Sequence, residues 1–200
     1  MTEGEFGVLI LAGGKSERMV YPKAYLLYEG KTFLKKIVEE YYDAGVKNII
    51  VVLNETFSIG EWGNYITQIN PKITIIKNPT PELGRFHSVK LGINKIQGLD
   101  FCFIQNIDNP LVNNMVIKSL MESGNPEGYT SPVFNGRSGH PVLISKKIIQ
   151  HLNNLPDGNQ NLRTVLSEFP KLEVEAKNSD ILLNINTIDD YKKFNNANCC

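Results

Sequence analysis

Val8-Leu9-Ile10-Leu11-Ala12-Gly13-Gly14-Lys15-Ser16-Glu17-Arg18-Met19-Val20-Tyr21-Pro22-Lys23 is the stretch on which the reading of the chain turns. A short apolar run ends in two glycines. Lys15, Arg18 and Lys23 then follow within nine residues, with Pro22 setting the backbone just before the last of them. A strand feeding an anion-binding loop has this make-up. Glycines let backbone N–H groups approach a phosphate with no Cβ in the way, successive N–H groups form a concavity of positive potential, and cationic side chains add charge. Taken alone, Gly-Gly is more simply an ordinary tight turn and the three cations a solvated face.

Outward from this loop, Thr32 reads as a helix N-cap, and Phe33, Leu34, Ile37, Val38 and Tyr41 fall at helical spacing up to Gly45. Val46 to Leu53 is a dense β-branched run of the kind buried in parallel sheets, so strand, loop, helix and strand make a βαβ unit. A weakly patterned helix over Ser58 to Ile69 precedes a short strand, Ile73 to Ile76. After a loop from Asn78 to Gly84 come a helix from Arg85 to Ile96, a strand from Phe101 to Gln105 closed by Ile107-Asp108-Asn109-Pro110, and a helix from Asn113 to Ser123. This alternation predicts a three-layer α/β/α, Rossmann-like domain with a mostly parallel sheet.

The second half changes texture. Tyr129 to Phe134 and Pro141 to Ser145 read as strands around a Gly-Arg-Ser-Gly-His-Pro turn, Lys146 to Leu152 and Asn159 to Phe169 as helices, and Leu172 to Ala176 and Ile181 to Ile185 as strands before a terminal helix, Thr187 to Phe194. The expectation is a single domain over residues 1–200, in which 124–180 form an excursion that returns to the sheet at Ile181.

Of the 200 residues, 42% are hydrophobic, enough for a sizeable core. The 21 cationic and 21 anionic side chains cancel, so no global field draws the protein to nucleic acid or to an anionic membrane, and phosphate recognition has to be local. Cys102, Cys199 and Cys200 make no disulfide framework, and Cys102, within Phe101-Cys102-Phe103-Ile104, reads as a buried thiol. An acidic Met-Thr-Glu-Gly-Glu start, and no apolar run of about 18 residues, point to a soluble cytoplasmic protein with no membrane partner. Monomer and homodimer both stay open. Walker, dinucleotide-binding, zinc-spaced and Gly-x-Ser-x-Gly patterns are absent, which argues against a P-loop ATPase, a dehydrogenase and a serine hydrolase.

Four further places carry chemistry. Asp108 stands just past the carboxyl end of an apolar strand, where open α/β sheets gather ligands, although Asp-Asn-Pro is also common turn chemistry. Asn186, after Leu183-Asn184-Ile185, is either a ligand or a cap of the last helix together with Thr187. Gly84 is a binding loop or only the turn that opens a helix. His140, within Gly139-His140-Pro141-Val142, is more simply a hydrogen-bonded structural residue than a proton-transfer group.

The opening stretch resembles the signature of molybdenum-cofactor cytidylyl- and guanylyltransferase-like proteins, a branch of the nucleotide-diphospho-sugar transferase fold. Leu11 to Gly14, Ser16, Arg18, Met19, Pro22 and Lys23 match it, and Val20 replaces the usual glycine. Asp108-Asn109-Pro110-Leu111 resembles the family's Asp-Gln-Pro-Leu, Leu183 to Thr187 its returning strand, and Gly139 to Ile144 a segment of its cytidylyl-transferring subgroup. Pro156 to Arg163 keeps the family's arginine and loses much of the surrounding pattern.

The resemblance implies nucleotidyl transfer from a nucleoside triphosphate to a small-molecule acceptor, with Mg2+ held by Asp108 and Asn186. Such a metal keeps several waters and takes one or two protein oxygens plus substrate phosphates. It further implies catalytic roles for Arg18, Lys23 and Asp108. Leu11, Ala12, Gly13, Gly14, Lys15, Asn78, Gly84 and Ser88 would contact nucleotide, and Gly139, His140 and Pro141 the acceptor. Arg85, where the family has an apolar residue, would add a phosphate or substrate contact. CTP and GTP are both left open, as are molybdopterin, a sugar phosphate or another metabolite as acceptor. A nucleotide-binding regulatory module and an unrelated α/β protein remain as alternatives.

Overall fold

From Gly7 to Ala12 every residue of strand β1 (Phe6–Ala12) is buried, because the strand is covered on both faces. Val8, Ile10 and Ala12 enter one apolar layer, Leu9 and Leu11 the other, as a two-residue repeat requires. The chain is described here by a computed structural model covering residues 4–19, 21–67, 69, 73–158 and 160–197. Val20, Asn159, Cys199 and Cys200, which entered the sequence reading, lie outside the described residues.

After β1 comes a two-stranded ribbon, β2 (Leu27–Tyr28) and β3 (Lys31–Thr32), and then helix α1 (Phe33–Asp43). Thr32 caps α1 by accepting the Lys35 N–H at 3.2 Å, and Gly45, with φ +99°, takes the left-handed position that ends it. Strand β4 (Asn48–Asn54), helix α2 (Gly63–Thr67), strand β5 (Thr74–Asn78), helix α3 (Gly84–Ile93), strand β6 (Phe101–Asn106) and helix α4 (Asn114–Glu122) follow. The second half adds β7 (Tyr129–Phe134), β8 (Arg137–Ser138), β9 (Val142–Ser145), α5 (Lys146–Asn154), α6 (Leu162–Leu166), β10 (Lys171–Glu175) and α7 (Ile188–Ala197).

The main sheet runs β10-β7-β9-β6-β1-β4-β5, with β8 paired to β7. β1 is parallel to both β4 and β6, β4 to β5, and β7 to β10, whereas β9 runs antiparallel between β6 and β7. Side chains of α1, α4 and α7 fill one face of the sheet, and those of α3, α5 and α6 the other, giving the expected three-layer α/β fold. Gly92 lets α3 lie directly on β1, since a Cβ there would meet Leu9 Cδ1 at 2.1 Å. The chain moves from β1 outward to β4 and β5 and then returns to β6 on the other side of β1. The strand order therefore reverses beside β1, and a crevice opens at the carboxyl ends of β1 and β6.

Four expectations need correction. Residues 124–180 do not leave the sheet, because they supply β7 to β10 of it. Ile181 to Ile185 is no strand: Asn178 caps a 3-10 turn over Ser179–Leu182, the side chains of Ile181 and Ile185 are buried, and the backbone docks through Ile185 N–H to Asp108 O at 2.8 Å. The expected helix over Ser58 to Ile69 is broken into 3-10 turns, Glu55–Ser58 and Gly60–Trp62, before α2, with Gly60 at φ +62° interrupting the path. α6 is shorter than expected because Asn161 caps it, accepting the Arg163 N–H at 2.9 Å. Among the described residues no helix is long and apolar enough to cross a membrane. Cys102 is buried and free, and burial pushes its thiol pKa up.

Candidate active site

The loop after β1 closes on Ser16, which takes a left-handed φ of +53°. Its carbonyl accepts the Met19 N–H at 2.9 Å and its hydroxyl the Lys23 N–H at 3.2 Å. These bonds bring Met19 and Lys23 back to Ser16 beside the crevice. Gly13 is needed for close approach rather than for an unusual φ: a Cβ there would lie 2.7 Å from Ser88 Oγ and 3.1 Å from Asn78 Nδ2. Gly14 has open space around it, and its carbonyl accepts Asn54 Nδ2 at 3.3 Å.

Leu11, Ala12, Gly13, Gly14, Lys15, Arg18, Lys23, Gly84, Ser88, Asp108 and Asn186 all line one cavity of about 550 Å3. Asn78 lies beneath it, fully buried, with Nδ2 donating to Ser88 Oγ at 3.2 Å and Gly13 O at 3.4 Å. It is placed to hold the loop against α3 rather than to touch a ligand. Gly84 opens α3 at φ +83°, and Leu83 before it supplies no side-chain cap, so the helix N-terminus faces the cavity with N–H groups to offer.

Lys23 Nζ donates to Asn186 Oδ1 at 2.8 Å and lies 3.8 Å from Asp108 Oδ2. Burial lowers the Lys23 pKa, with Asp108 opposing; burial raises the Asp108 pKa, against the pull of Lys23 and Arg85. Each charge is thus held short of full solvation, so its field acts strongly on whatever enters. Asn186 is free to face the cavity because it does not cap α7. Thr187 Oγ1 accepts the Asp190 N–H at 3.2 Å, and Asp190 Oδ2 accepts the N–H groups of Asn186 at 3.0 Å and Thr187 at 2.8 Å, a reciprocal capping box.

A divalent cation fits this donor set. Asp108 Oδ1 is buried with no hydrogen-bond partner, and the oxygens of Asp108 and Asn186 already converge on one cationic group. Among the described residues no group of three or more His, Cys, Asp or Glu could hold a metal, so an ion here would rely on one carboxylate, one amide, waters and substrate oxygens, as Mg2+ does.

A second cavity, of about 980 Å3, adjoins the first and shares Gly84 and Arg85 with it. Gly139 and His140 line it, while Pro141 is buried behind. A Cβ on Gly139 would sit 2.3 Å from Ile181 O, so the Gly-His-Pro segment packs flat on the 179–182 turn. His140 Nε2 lies 3.1 Å from Asn106 Nδ2, and burial, aided by Arg85, lowers its pKa to about 4, leaving it neutral near pH 7. Arg163 and Lys171 add cations to this wall.

Sequence reasoning missed Ser16 as the clasp of the loop, Asn106 at the partition between the cavities, and Asn109. The last is buried, and its Nδ2 bridges the carbonyls of Asp180 and Ile181 at 3.2 Å each, tying the Asp108 loop to the segment that leads to Asn186. A left-handed serine and a buried Asn leave no local signal in a sequence.

The chain is similar to known proteins over most of its length. The family described as MobA-like NTP transferase domain matches residues 8–174. The molybdenum cofactor cytidylyltransferase of Escherichia coli (strain K12) is 31% identical over 189 residues, covering 92% of each chain. A probable molybdenum cofactor guanylyltransferase of Bacillus cereus (strain B4264) is 28% identical over 94% of each. Among solved structures, a nucleotidyl transferase from Methanothermobacter thermautotroptrophicus superposes with a TM-score of 0.78 at 21% identity, covering 96% of each chain, which shows the shared fold. With a glycine loop over a cation-lined crevice at the switch point and a match spanning most of its length, the chain belongs to the MobA-like NTP transferase family and is a nucleotidyltransferase.

Proposed function

We propose that the protein catalyses Mg2+-dependent transfer of a nucleoside monophosphate from CTP or GTP to a small phosphorylated acceptor, molybdopterin first among those to try. An acceptor phosphate oxygen attacks the α-phosphorus, a new P–O bond forms, the α–β P–O bond breaks, and its electron pair leaves with pyrophosphate. A phosphate monoester, with a second pKa of about 6, is largely ionised at neutral pH, so no general base is needed. The barrier is electrostatic, since two anions meet and charge builds on the leaving group.

The chain's own groups answer that demand. The N–H groups of Gly13 and Gly14 and the N-terminus of α3 face the phosphates, Arg18 serves the β- and γ-phosphates, and Lys15 adds a more exposed cation. Lys23, whose charge is held at the junction of Asp108 and Asn186, serves the α-phosphate or its incoming acceptor. Bound Mg2+ would neutralise triphosphate oxygens, with Asp108 and Asn186 as its protein ligands. Gly139 and His140, in the adjoining cavity, would seat the acceptor, the neutral imidazole as a positioning group.

The single observation that carries this reading is that Lys23, Asp108 and Asn186, far apart in sequence, meet in the cavity covered by Gly13 and Gly14. Thermal melts with each of the four nucleoside triphosphates and Mg2+ test binding, and saturation to about 100 times Kd should add about 2.7 kcal/mol of apparent stability. Pyrophosphate release with molybdopterin and with sugar phosphates then tests turnover. Binding without release would favour a regulatory nucleotide-binding module, and no binding at all would defeat the reading.

A further inference from the structure

Lys90 is 5% exposed, in the middle of α3. Its Nζ donates to three carbonyl oxygens: Leu152 at 2.7 Å, Asn153 at 3.1 Å and Leu155 at 2.7 Å. Three acceptors match the three N–H bonds of an ammonium. All three sit at the last turn and C-cap of α5, where unpaired carbonyls and the negative end of the helix dipole concentrate partial charge. The buried cation is therefore satisfied by one helix terminus.

From that terminus the chain runs on to Gly158, Gln160, Asn161 and Arg163, which form one wall of the second cavity. Gly84 and Arg85 of α3, the helix that carries Lys90, line the same cavity. Lys90 lines neither cavity, and it joins these two walls from behind. The first cavity has separate support, because Gly13 and Ser88 are fastened through Asn78 on β5.

We propose that Lys90 is a positioning residue for the acceptor: its ammonium fixes residues 155–158 and 160–163 relative to α3 and so sets the width of the second cavity. This rests on reading that cavity as the acceptor site. Loss of the three bonds should loosen the acceptor wall and leave nucleotide binding nearly unchanged.

The test compares Lys90→Met and Lys90→Arg with the wild-type protein, varying molybdopterin and the nucleoside triphosphate separately and following amide hydrogen exchange. Lys90→Met should raise the molybdopterin KM by about tenfold or more while the nucleotide KM stays within about twofold, as expected when a support rather than a contact is lost. Exchange should quicken in 155–163 more than in 84–93, and Lys90→Arg should recover most of both effects. An unchanged molybdopterin KM, a parallel rise in both KM values, or equal quickening of both segments would overturn the proposal. Should Lys90→Met not fold, Lys90→Gln is measured by the same criteria. If wild-type protein turns over no acceptor, the proposed function fails, and the exchange comparison alone decides the role of Lys90.

Discussion

Lys23 Nζ and Asn186 Oδ1 are 2.8 Å apart across 163 positions of sequence, and that bond brings the first loop of the chain to its last turn. Asp108 Oδ2 stands 3.8 Å from the same nitrogen. One ammonium thus holds the oxygens of a carboxylate and an amide together at the foot of the glycine loop. The lysine keeps these two electron-rich groups from facing each other unscreened.

Replacing Lys23 by Ala removes a preorganised charge and should lower kcat/KM between about tenfold and about a thousandfold. Asp108→Ala should do the same. Because the two side chains pair with each other at 3.8 Å, the double variant should lose less than the product of the single losses. Steady-state pyrophosphate release checks this, with circular dichroism to verify the fold. Near-normal turnover in either single variant would remove that residue from the mechanism.

Asn186 and its neighbour Thr187 separate the proposed ligand from the cap. Asn186→Ala should raise the Mg2+ concentration needed for half-maximal turnover while leaving Tm close to that of the wild type. Thr187→Ala should leave the Mg2+ requirement alone and cost about 1 kcal/mol of stability, the usual value of an N-cap hydroxyl. Chelation of Mg2+ by excess EDTA should abolish turnover in all three proteins. A Mg2+ titration beside a thermal melt reads both effects.

Gly13→Ala places a methyl 2.7 Å from Ser88 Oγ and 3.1 Å from Asn78 Nδ2. Forcing it in should cost about 1–3 kcal/mol and raise the nucleotide KM as the loop lifts. Adding Ser88→Ala removes the nearer atom and should recover part of the stability. Denaturant unfolding of the two variants decides the point, and an unaffected single variant would mean that the loop is not packed as described.

His140 gives a pH dependence of known sign. Its folded-state pKa lies near 4, below the ordinary 6.5, because burial and Arg85 disfavour the imidazolium. The unfolded chain therefore binds this proton more tightly. The stability tied to a neutral His140 is full above about pH 6.5 and falls as pH drops toward 4. Melts of the wild type and His140→Gln at pH 7 and pH 4.5 should show the larger drop in the wild type.

Much of the fold was legible because its causes are local. The run before Gly13 alternates between two apolar layers, Thr32 and Asn113 cap the helices they precede, and Gly45 ends α1, each within a few residues of its cause. Ile181 to Ile185 misled because apolar composition marks burial rather than pairing: the segment is anchored by two buried isoleucines and a backbone bond to Asp108 O. Residues 124–180 misled because strand order in a sheet is a long-range property that no local pattern encodes.

The sequence by itself determined the glycine loop, the cations around it, an aspartate at a strand end and the alternation that makes a three-layer domain. Only the tertiary structure decided that Thr187 takes the capping duty and frees Asn186 for the cavity, that Asn78 supports the loop from below, and that Lys90 closes the end of α5. Periodicity and caps act over a few residues and can be read along the chain. The meeting of Lys23, Asp108 and Asn186 depends on the return of β6 beside β1 and on the docking of the 179–186 segment against it, which the packing of the whole sheet settles.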